Sequence, residues 1–210
     1  MNTVSKQIAE KLLQIKAIKL EPTNHFTWAS GWYSPIYCDN RKTLSYPEVR
    51  NFIKDAFVDI IKNNYCDFDV VAGVATGAIA QGALIADKLG KPFVYVRSQA
   101  KDHGMGNMIE GIVKEGQKVL VIEDLISTGG SSLNAVKALR DAGCEVIGML
   151  AIFSYNFQKA IDAFKEENVE LITLSNYDDL VDKAIETGYV SETDVELLKE
   201  WRLSPETWKK

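Results

Sequence analysis

The chain has 210 residues, of which 46% are hydrophobic and 25% are charged, and this composition excludes the disordered, collagen-like and disulfide-rich classes of protein. Its formal net charge of -5 argues against a nucleic-acid-binding surface, because such a surface needs clustered lysine and arginine side chains. The longest apolar stretches, 70–80 and 146–153, are shorter than the about 18 residues that a membrane span requires, and the N-terminal segment lacks the apolar core of a signal peptide. We therefore expect one domain over residues 1–210, in the cytoplasm, with neither a membrane nor a nucleic acid as partner.

The three cysteines, Cys38, Cys66 and Cys144, are widely separated in the sequence. They form no CxxC pair and have no histidine close by, so the spacing indicates neither a zinc site nor a disulfide framework. We expect buried or incidental thiols.

The first 65 residues predict a helix, a group of short strands and a second helix. Apolar residues at positions 4, 8, 12 and 15 have helical spacing, and Pro22 and a segment rich in Trp, Tyr, Ser and Gly end that pattern. Ser45 and Glu48 have the spacing of a capping box, and they precede a regular apolar stripe over 49–61. We expect the second helix to begin at this box.

From Phe68 onward, short apolar runs alternate with amphipathic segments. The runs are DVVAGV, PFVYVR, KVLVIED, EVIGMLAIF and VELITL. Runs that are continuously apolar are typical of parallel strands covered by helices on both faces. The sequence therefore predicts an α/β fold with an open, mainly parallel sheet flanked by helices over about 65–175, followed by C-terminal helices, the last capped by Ser191. Ligands of such folds bind beyond the carboxyl ends of the strands.

The segment VLVIEDLISTGGSS carries the strongest chemical signal. A strand over 119–122 is predicted to end in the acidic pair Glu123 and Asp124, and the loop 127–131 opens the next helix. The loop offers two positions without a Cβ atom and three hydroxyls, at Gly129, Gly130, Ser127, Thr128 and Ser131. Its amides and the helix N-terminus suit a phosphate, and the carboxylates suit sugar hydroxyls or a metal shell, so the segment predicts a site for a phosphorylated sugar. The alternative is an ordinary strand-to-helix turn with capping serines.

Two other phosphate motifs are absent from the sequence. There is no GxxxxGK[ST] segment, and GMGNMI at 104–109 lacks the third glycine of the dinucleotide fingerprint. A polar segment with neither helical nor strand periodicity carries Arg97, Lys101 and His103. Cationic groups on a movable loop would neutralise a departing diphosphate, although a solvated surface loop has the same composition.

These segments resemble those of a known family. VIEDLISTGGSS is similar to the phosphoribosyl-diphosphate (PRPP) motif of the type I phosphoribosyltransferases. FTWASGWYSPIYCDNR at 26–41 resembles the hood of their orotate phosphoribosyltransferase branch, and RSQAKDHGMGNMIEG at 97–111 resembles its mobile catalytic loop. The resemblance covers roughly residues 20–155. It implies the type I phosphoribosyltransferase fold with a small N-terminal helix and hood over about 1–45. The implied reaction is transfer of the 5-phosphoribosyl group from PRPP to N1 of orotate, giving orotidine 5-monophosphate and diphosphate for pyrimidine synthesis.

The resemblance also implies roles for individual residues. The catalytic residues would be Lys101, His103 and Asp124. PRPP would contact Arg97, Lys101, His103, Glu123, Asp124, Leu125, Ile126, Ser127, Thr128, Gly129, Gly130 and Ser131. Orotate would contact Ser127, Ser30, Gly31 and Tyr37, and the turn VATGA at 74–78 would be a second diphosphate-binding turn. The arginine expected at the base carboxylate is not evident, and Asn156 is the nearest position.

The implied cofactor is Mg²⁺, bound mainly through the diphosphate and water rather than in a protein metal site. The implied assembly is a homodimer in which the loop 98–111 completes the active site of the neighbouring subunit. Two alternatives remain. A purine phosphoribosyltransferase would share the phosphate loop without the hood and the KDHG loop, and a PRPP-binding regulator would keep the fold without catalysis.

Overall fold

The computed structural model describes residues 3–28, 30–99 and 108–209. The N-terminal elements are α1 (Thr3–Gln14), β1 (Ile18–Leu20), β2 (Phe26–Thr27), β3 (Tyr33–Ser34), β4 (Ile36–Cys38), a 3-10 helix (Asn40–Ser45) and α2 (Pro47–Asn64). The central elements are β5 (Val70–Val74), α3 (Ile79–Leu89), β6 (Phe93–Val96), β7 (Ile109–Glu110), β8 (Lys118–Ile126), α4 (Gly130–Asp141) and β9 (Glu145–Ser154). The chain continues through α5 (Gln158–Glu166), β10 (Leu171–Asn176), α6 (Tyr177–Glu186) and α7 (Glu192–Leu203).

Six strands form the central sheet in the order β10-β9-β8-β5-β6-β7. Five of them run parallel, and β7 pairs antiparallel with β6 at one edge. Every residue of β5 is buried, as a strand covered on both faces must be. Apolar cores lie on both faces of the sheet, and α/β architecture with a mainly parallel sheet is thereby confirmed.

The hood is built from two small antiparallel pairs. β1 pairs with β4, and β2 pairs with β3 in a hairpin. The predicted first helix is confirmed as α1. The C-terminal helices support the hood, because Trp201 on α7 is fully buried and its Nε1 donates a hydrogen bond to the carbonyl of Tyr33, 3.1 Å away.

The two predicted helix caps have different outcomes. The prediction of a capping box at Ser45 and Glu48 is wrong. Ser45 ends the 3-10 helix, and α2 begins at Pro47 with Tyr46 as its N-cap. Proline suits the first helical position, where no N–H partner is needed, so it sets the start of the helix. The cap at Ser191 is confirmed, with Asp194 as the reciprocal residue of a capping box.

The cysteines are free: Cys38 is partly buried, Cys66 is exposed and Cys144 is buried. Within the described ranges, no helix is long and apolar enough to cross a membrane.

Candidate active site

The acidic pair lies inside a strand rather than after it. The expected strand end at residue 122 is wrong, because β8 continues to Ile126. Pairing with β5 stops at Ile122, whereas pairing with β9 extends to Ile126. The last four residues of β8 therefore have a strand neighbour on one side only, and their other edge faces the turn that follows β5.

Glu123 is held within the protein. Its side chain is 4% exposed, and its two carboxylate oxygens accept hydrogen bonds from the Asp124 N–H at 2.9 Å and the Ser132 hydroxyl at 2.7 Å. Burial, and then the charge of Asp124, raise the pKa of Glu123 above the usual range of a glutamate. These two hydrogen bonds make Glu123 an internal support for Asp124 and for the first turn of α4, and its predicted contact with PRPP stays a prediction.

Asp124 is the more accessible carboxylate of the pair. The Asn40 side-chain amide donates a hydrogen bond to its backbone carbonyl at 2.6 Å, which ties the 3-10 helix to β8. A Cβ atom built on Gly77 would overlap both Asp124 carboxylate oxygens, so glycine is what lets the turn after β5 approach this side chain. Burial raises the pKa of Asp124, and the hydrogen bond with Glu123 and the positive charge of Arg41 oppose that rise.

The predicted phosphate loop directly follows β8. Its residues 127–129 are irregular, and Gly130 and Ser131 belong to the first turn of α4, whose N-cap is Gly129. Gly129 has a φ of +83°, and a Cβ there would approach the Phe164 ring to 2.9 Å, so both conformation and packing require glycine. A Cβ on Gly130 would meet no atom within 4 Å. The first turn of α4 is thus open on the side where an anion would meet the helix N-terminus.

A pocket of about 270 Å³ adjoins this loop, and we call it the aromatic pocket. It is lined by Thr27, Trp28, Tyr37, Cys38, Leu125, Ser127 and Tyr155. Tyr37 and Ser127 were predicted to contact a base, and the structure brings these two together. The sequence analysis missed Tyr155, which is 2% exposed and whose ring centroid lies 5.2 Å from that of Trp28. Periodicity could not single it out, because it directly follows the buried strand β9 and has the signature of a core residue.

Other predicted residues lie outside the aromatic pocket. Ser30 and Gly31 form the turn of the β2–β3 hairpin, where the Gly31 N–H donates to the Trp28 carbonyl at 2.8 Å. Asn156 lines a separate cleft of about 790 Å³ between α5 and the end of α7. Arg97 follows β6, and its guanidinium lies 3.7 Å from the Glu110 carboxylate. Lys101 and His103 lie outside the described residues.

The acidic pair Glu123 and Asp124 offers oxygen ligands of the kind that magnesium prefers. Among the described residues, no group of three or more His, Cys, Asp and Glu side chains is arranged to hold a metal. Magnesium accepts one or two carboxylates when phosphates and water complete its octahedron. Because Glu123 is buried and Asp124 is partly exposed, Asp124 is the more accessible carboxylate for such an ion, directly or through water. These residues fit an ion delivered with a diphosphate.

Comparison with known proteins shows similarity over nearly the whole chain. The family model described as "Phosphoribosyl transferase domain" matches residues 44–191. A protein of Porphyromonas gingivalis (strain ATCC BAA-308 / W83) named orotate phosphoribosyltransferase is 59% identical over 208 residues, which are 99% of this chain and 99% of the relative.

Two solved structures support the same relationship. The crystal structure of orotate phosphoribosyltransferase from Aeropyrum pernix matches with a TM-score of 0.75 and 26% identity, over 88% of this chain and 99% of that one. The Mycobacterium tuberculosis H37Rv orotate phosphoribosyltransferase, in complex with PRPP, matches with a TM-score of 0.65 and 26% identity, over 84% and 98%. The resemblance seen in the sequence is confirmed, and the chain belongs to the phosphoribosyl transferase domain family and, within it, to the orotate phosphoribosyltransferases.

Proposed function

We propose that this chain transfers the 5-phosphoribosyl group from PRPP to N1 of orotate, releasing orotidine 5-monophosphate and diphosphate. The observation that carries the proposal is the position of Ser127, which lies in the phosphate loop and also lines the aromatic pocket. A sugar phosphate on the loop and a planar base in the pocket would therefore meet next to Asp124. A relative at 59% identity carries the name of this activity.

The proposed mechanism needs no protein nucleophile. As the glycosidic bond to diphosphate breaks, positive charge develops on the ribose ring and negative charge on the leaving group, so catalysis consists of alignment and charge stabilisation. Asp124 would hold the ribose hydroxyls, and the loop 127–131 would hold the 5-phosphate. The base would lie beside Tyr37. The N1 atom of the base would attack the ribose carbon that bears the diphosphate, from the face opposite that leaving group.

Cationic groups are assigned to the leaving diphosphate. Arg97, Lys101 and His103 would bind it, and Lys101 and His103 would act in catalysis with Asp124. Mg²⁺, carried on the diphosphate, supplies further neutralisation of its charge when bound. Glu123 would hold the ribose hydroxyls together with Asp124, and its hydrogen bond from the Asp124 N–H supports that residue.

We also propose a cytoplasmic homodimer in which the loop 98–111 of each subunit completes the site of its partner. The test is subunit complementation between two inactive variants, Lys101→Ala and Asp124→Asn. If sites are shared, each mixed dimer contains one intact site, and random exchange makes about half of the dimers mixed, so about a quarter of wild-type activity should return. No recovery, with exchange confirmed by a tagged mixed dimer, would contradict sharing and would leave the reaction assignment standing.

The reaction itself is tested by orotate absorbance in the presence of PRPP and Mg²⁺. We expect orotate to be consumed one-for-one with diphosphate release, and adenine, hypoxanthine and uracil to give no comparable turnover. Turnover of a purine in place of orotate would favour the purine phosphoribosyltransferase alternative. PRPP binding without turnover of any base would favour a regulator.

A further inference from the structure

Tyr155 lines the aromatic pocket, and its hydroxyl has no hydrogen-bond partner among the described residues. The side chain is 2% exposed, yet its hydroxyl makes no hydrogen bond to any residue that the structure describes. Among the described side chains, the polar atoms that have neither solvent contact nor a hydrogen-bond partner belong to Arg50, Gln81, Ser175 and Trp208. The Tyr155 hydroxyl is not one of them. Because it has no partner, it must have some contact with solvent. Since the pocket is the open space next to this side chain, the hydroxyl is available to a ligand there.

Two neighbouring aromatic residues differ from Tyr155, because their polar atoms bond to backbone carbonyls. Trp28 Nε1 donates to the Ile36 carbonyl at 3.0 Å, and the Tyr177 hydroxyl donates to the Leu198 carbonyl at 2.9 Å. Both of these groups have a protein partner, as buried polar groups nearly always do, whereas the Tyr155 hydroxyl is left for a partner that enters the pocket.

The Tyr155 ring is fixed in place by its neighbours. Its centroid lies 5.3 Å from that of Phe157 in a stacked arrangement and 5.9 Å from that of Trp201 in an edge-to-face arrangement. Phe153 and Trp28 pack against it at 5.6 Å and 5.2 Å. A rigid ring holds its hydroxyl at a set position and loses little rotamer freedom when a ligand binds. Burial raises the pKa of Tyr155 well above its usual value, so the group remains a protonated donor.

The lining residues that the structure describes bring no positive charge to the aromatic pocket. None of the described lining residues is a lysine, arginine or histidine. Asn156, which stands nearest to the expected arginine, lines the separate cleft beside α7 instead. Among these lining residues, an anionic group would meet neutral donors, and the buried donor without a protein partner is Tyr155.

We propose that the Tyr155 hydroxyl donates a hydrogen bond to the carboxylate of bound orotate and is a specificity-determining residue of the base site. The inference rests on the proposed function, because the carboxylate is what distinguishes orotate from uracil. A hydrogen bond to a charged acceptor is stronger than one to a neutral carbonyl, so this contact would favour orotate over bases that lack the carboxylate.

The first test is Tyr155→Phe, with Tyr177→Phe as the matched control. Because the Tyr155 hydroxyl has no protein partner, Tyr155→Phe should leave the melting temperature unchanged or raise it, while the orotate KM rises roughly 10- to 100-fold and the PRPP KM stays near wild type. Tyr177→Phe should do the opposite, since it removes a buried hydrogen bond away from the pocket: it should lower the melting temperature and leave the orotate KM unchanged. An orotate KM within about twofold of wild type in Tyr155→Phe would overturn the proposal.

The second test identifies the group that the hydroxyl binds. Dissociation constants of orotidine 5-monophosphate and uridine 5-monophosphate, which differ only in the carboxylate, are measured for wild type and Tyr155→Phe. The preference for orotidine 5-monophosphate should fall roughly 10-fold or more in the variant. Equal weakening of both nucleotides would overturn the carboxylate assignment. Turnover of orotate by the wild type is measured alongside. If the wild type turns orotate over, a negative result in either test counts against the role of Tyr155 alone. If the wild type does not turn orotate over, the proposed function itself fails.

Discussion

Replacing Gly77 with alanine should disable the site by displacing one carboxylate. A Cβ atom on Gly77 overlaps both Asp124 carboxylate oxygens, whereas an ordinary contact between carbon and oxygen is about 3.3 Å. The carboxylate must then retreat by about 1 Å, because the backbone of Asp124 is held by β9 on one side and by Asn40 at its carbonyl. A misplacement of about 1 Å can lower a rate about 10²-fold, which corresponds to about 2.7 kcal/mol of transition-state stabilisation.

The assay for this prediction is kcat/KM for PRPP, measured for Gly77→Ala, Asp124→Asn and the double variant. If Gly77→Ala acts only by displacing the Asp124 carboxylate, the losses of kcat/KM in the two single variants will not multiply. The double variant should then be no less active than Asp124→Asn alone. Thermal unfolding checks that each protein is folded. A Gly77→Ala enzyme with kcat/KM within about threefold of wild type, or losses that multiply in the double variant, would refute the reasoning.

Metal removal and changes at Asn40 and Glu123 probe the site in three further ways. Excess chelator should abolish turnover, because three side chains alone do not neutralise a leaving diphosphate, and full activity under chelation would contradict the role of Mg²⁺. Asn40→Ala should lower the free energy of unfolding by about 1–3 kcal/mol in denaturant titrations, since it leaves the Asp124 carbonyl without its donor, and an unchanged midpoint would count against this contact. Burial raises the pKa of Glu123, so the native state keeps a proton that the unfolded chain releases above about pH 4.3. The free energy of unfolding should therefore fall as the pH rises above about 4.3 toward the raised pKa. Glu123→Gln cannot ionise and should flatten that fall in melting temperatures taken from about pH 5 to pH 9, whereas an identical slope would contradict a raised pKa.

The sequence predicted those parts of the molecule whose signals are local. Continuous apolar runs predicted the parallel sheet, which the structure confirms, and the hydroxyl- and glycine-rich loop after β8 predicts a phosphate site. The predicted end of β8 was wrong, because pairing with β9 extends the strand through charged residues that have low strand propensity. The predicted start of α2 was wrong, because the helix begins at Pro47 and not at the capping pattern that starts at Ser45.

The contacts that complete the site join residues far apart in the chain. Asn40 meets the backbone of Asp124, and Gly77 packs against its side chain, but nothing in the spacing of these residues indicates either contact. Tyr155 was missed for a related reason, because a buried tyrosine reads as core until its hydroxyl is seen to lack a partner. Only the folded arrangement shows which polar atoms are satisfied.

The central claim is that the phosphate loop, Asp124 and the aromatic pocket form one continuous nucleotide site. The measurement that tests it most directly is a crystal structure with orotidine 5-monophosphate bound. We expect the 5-phosphate within hydrogen-bonding distance of amides in the loop 127–131, the ribose hydroxyls at Asp124, and the pyrimidine ring in the aromatic pocket with its carboxylate near the Tyr155 hydroxyl. A pyrimidine ring bound outside that pocket, or a phosphate held away from the loop, would contradict the account.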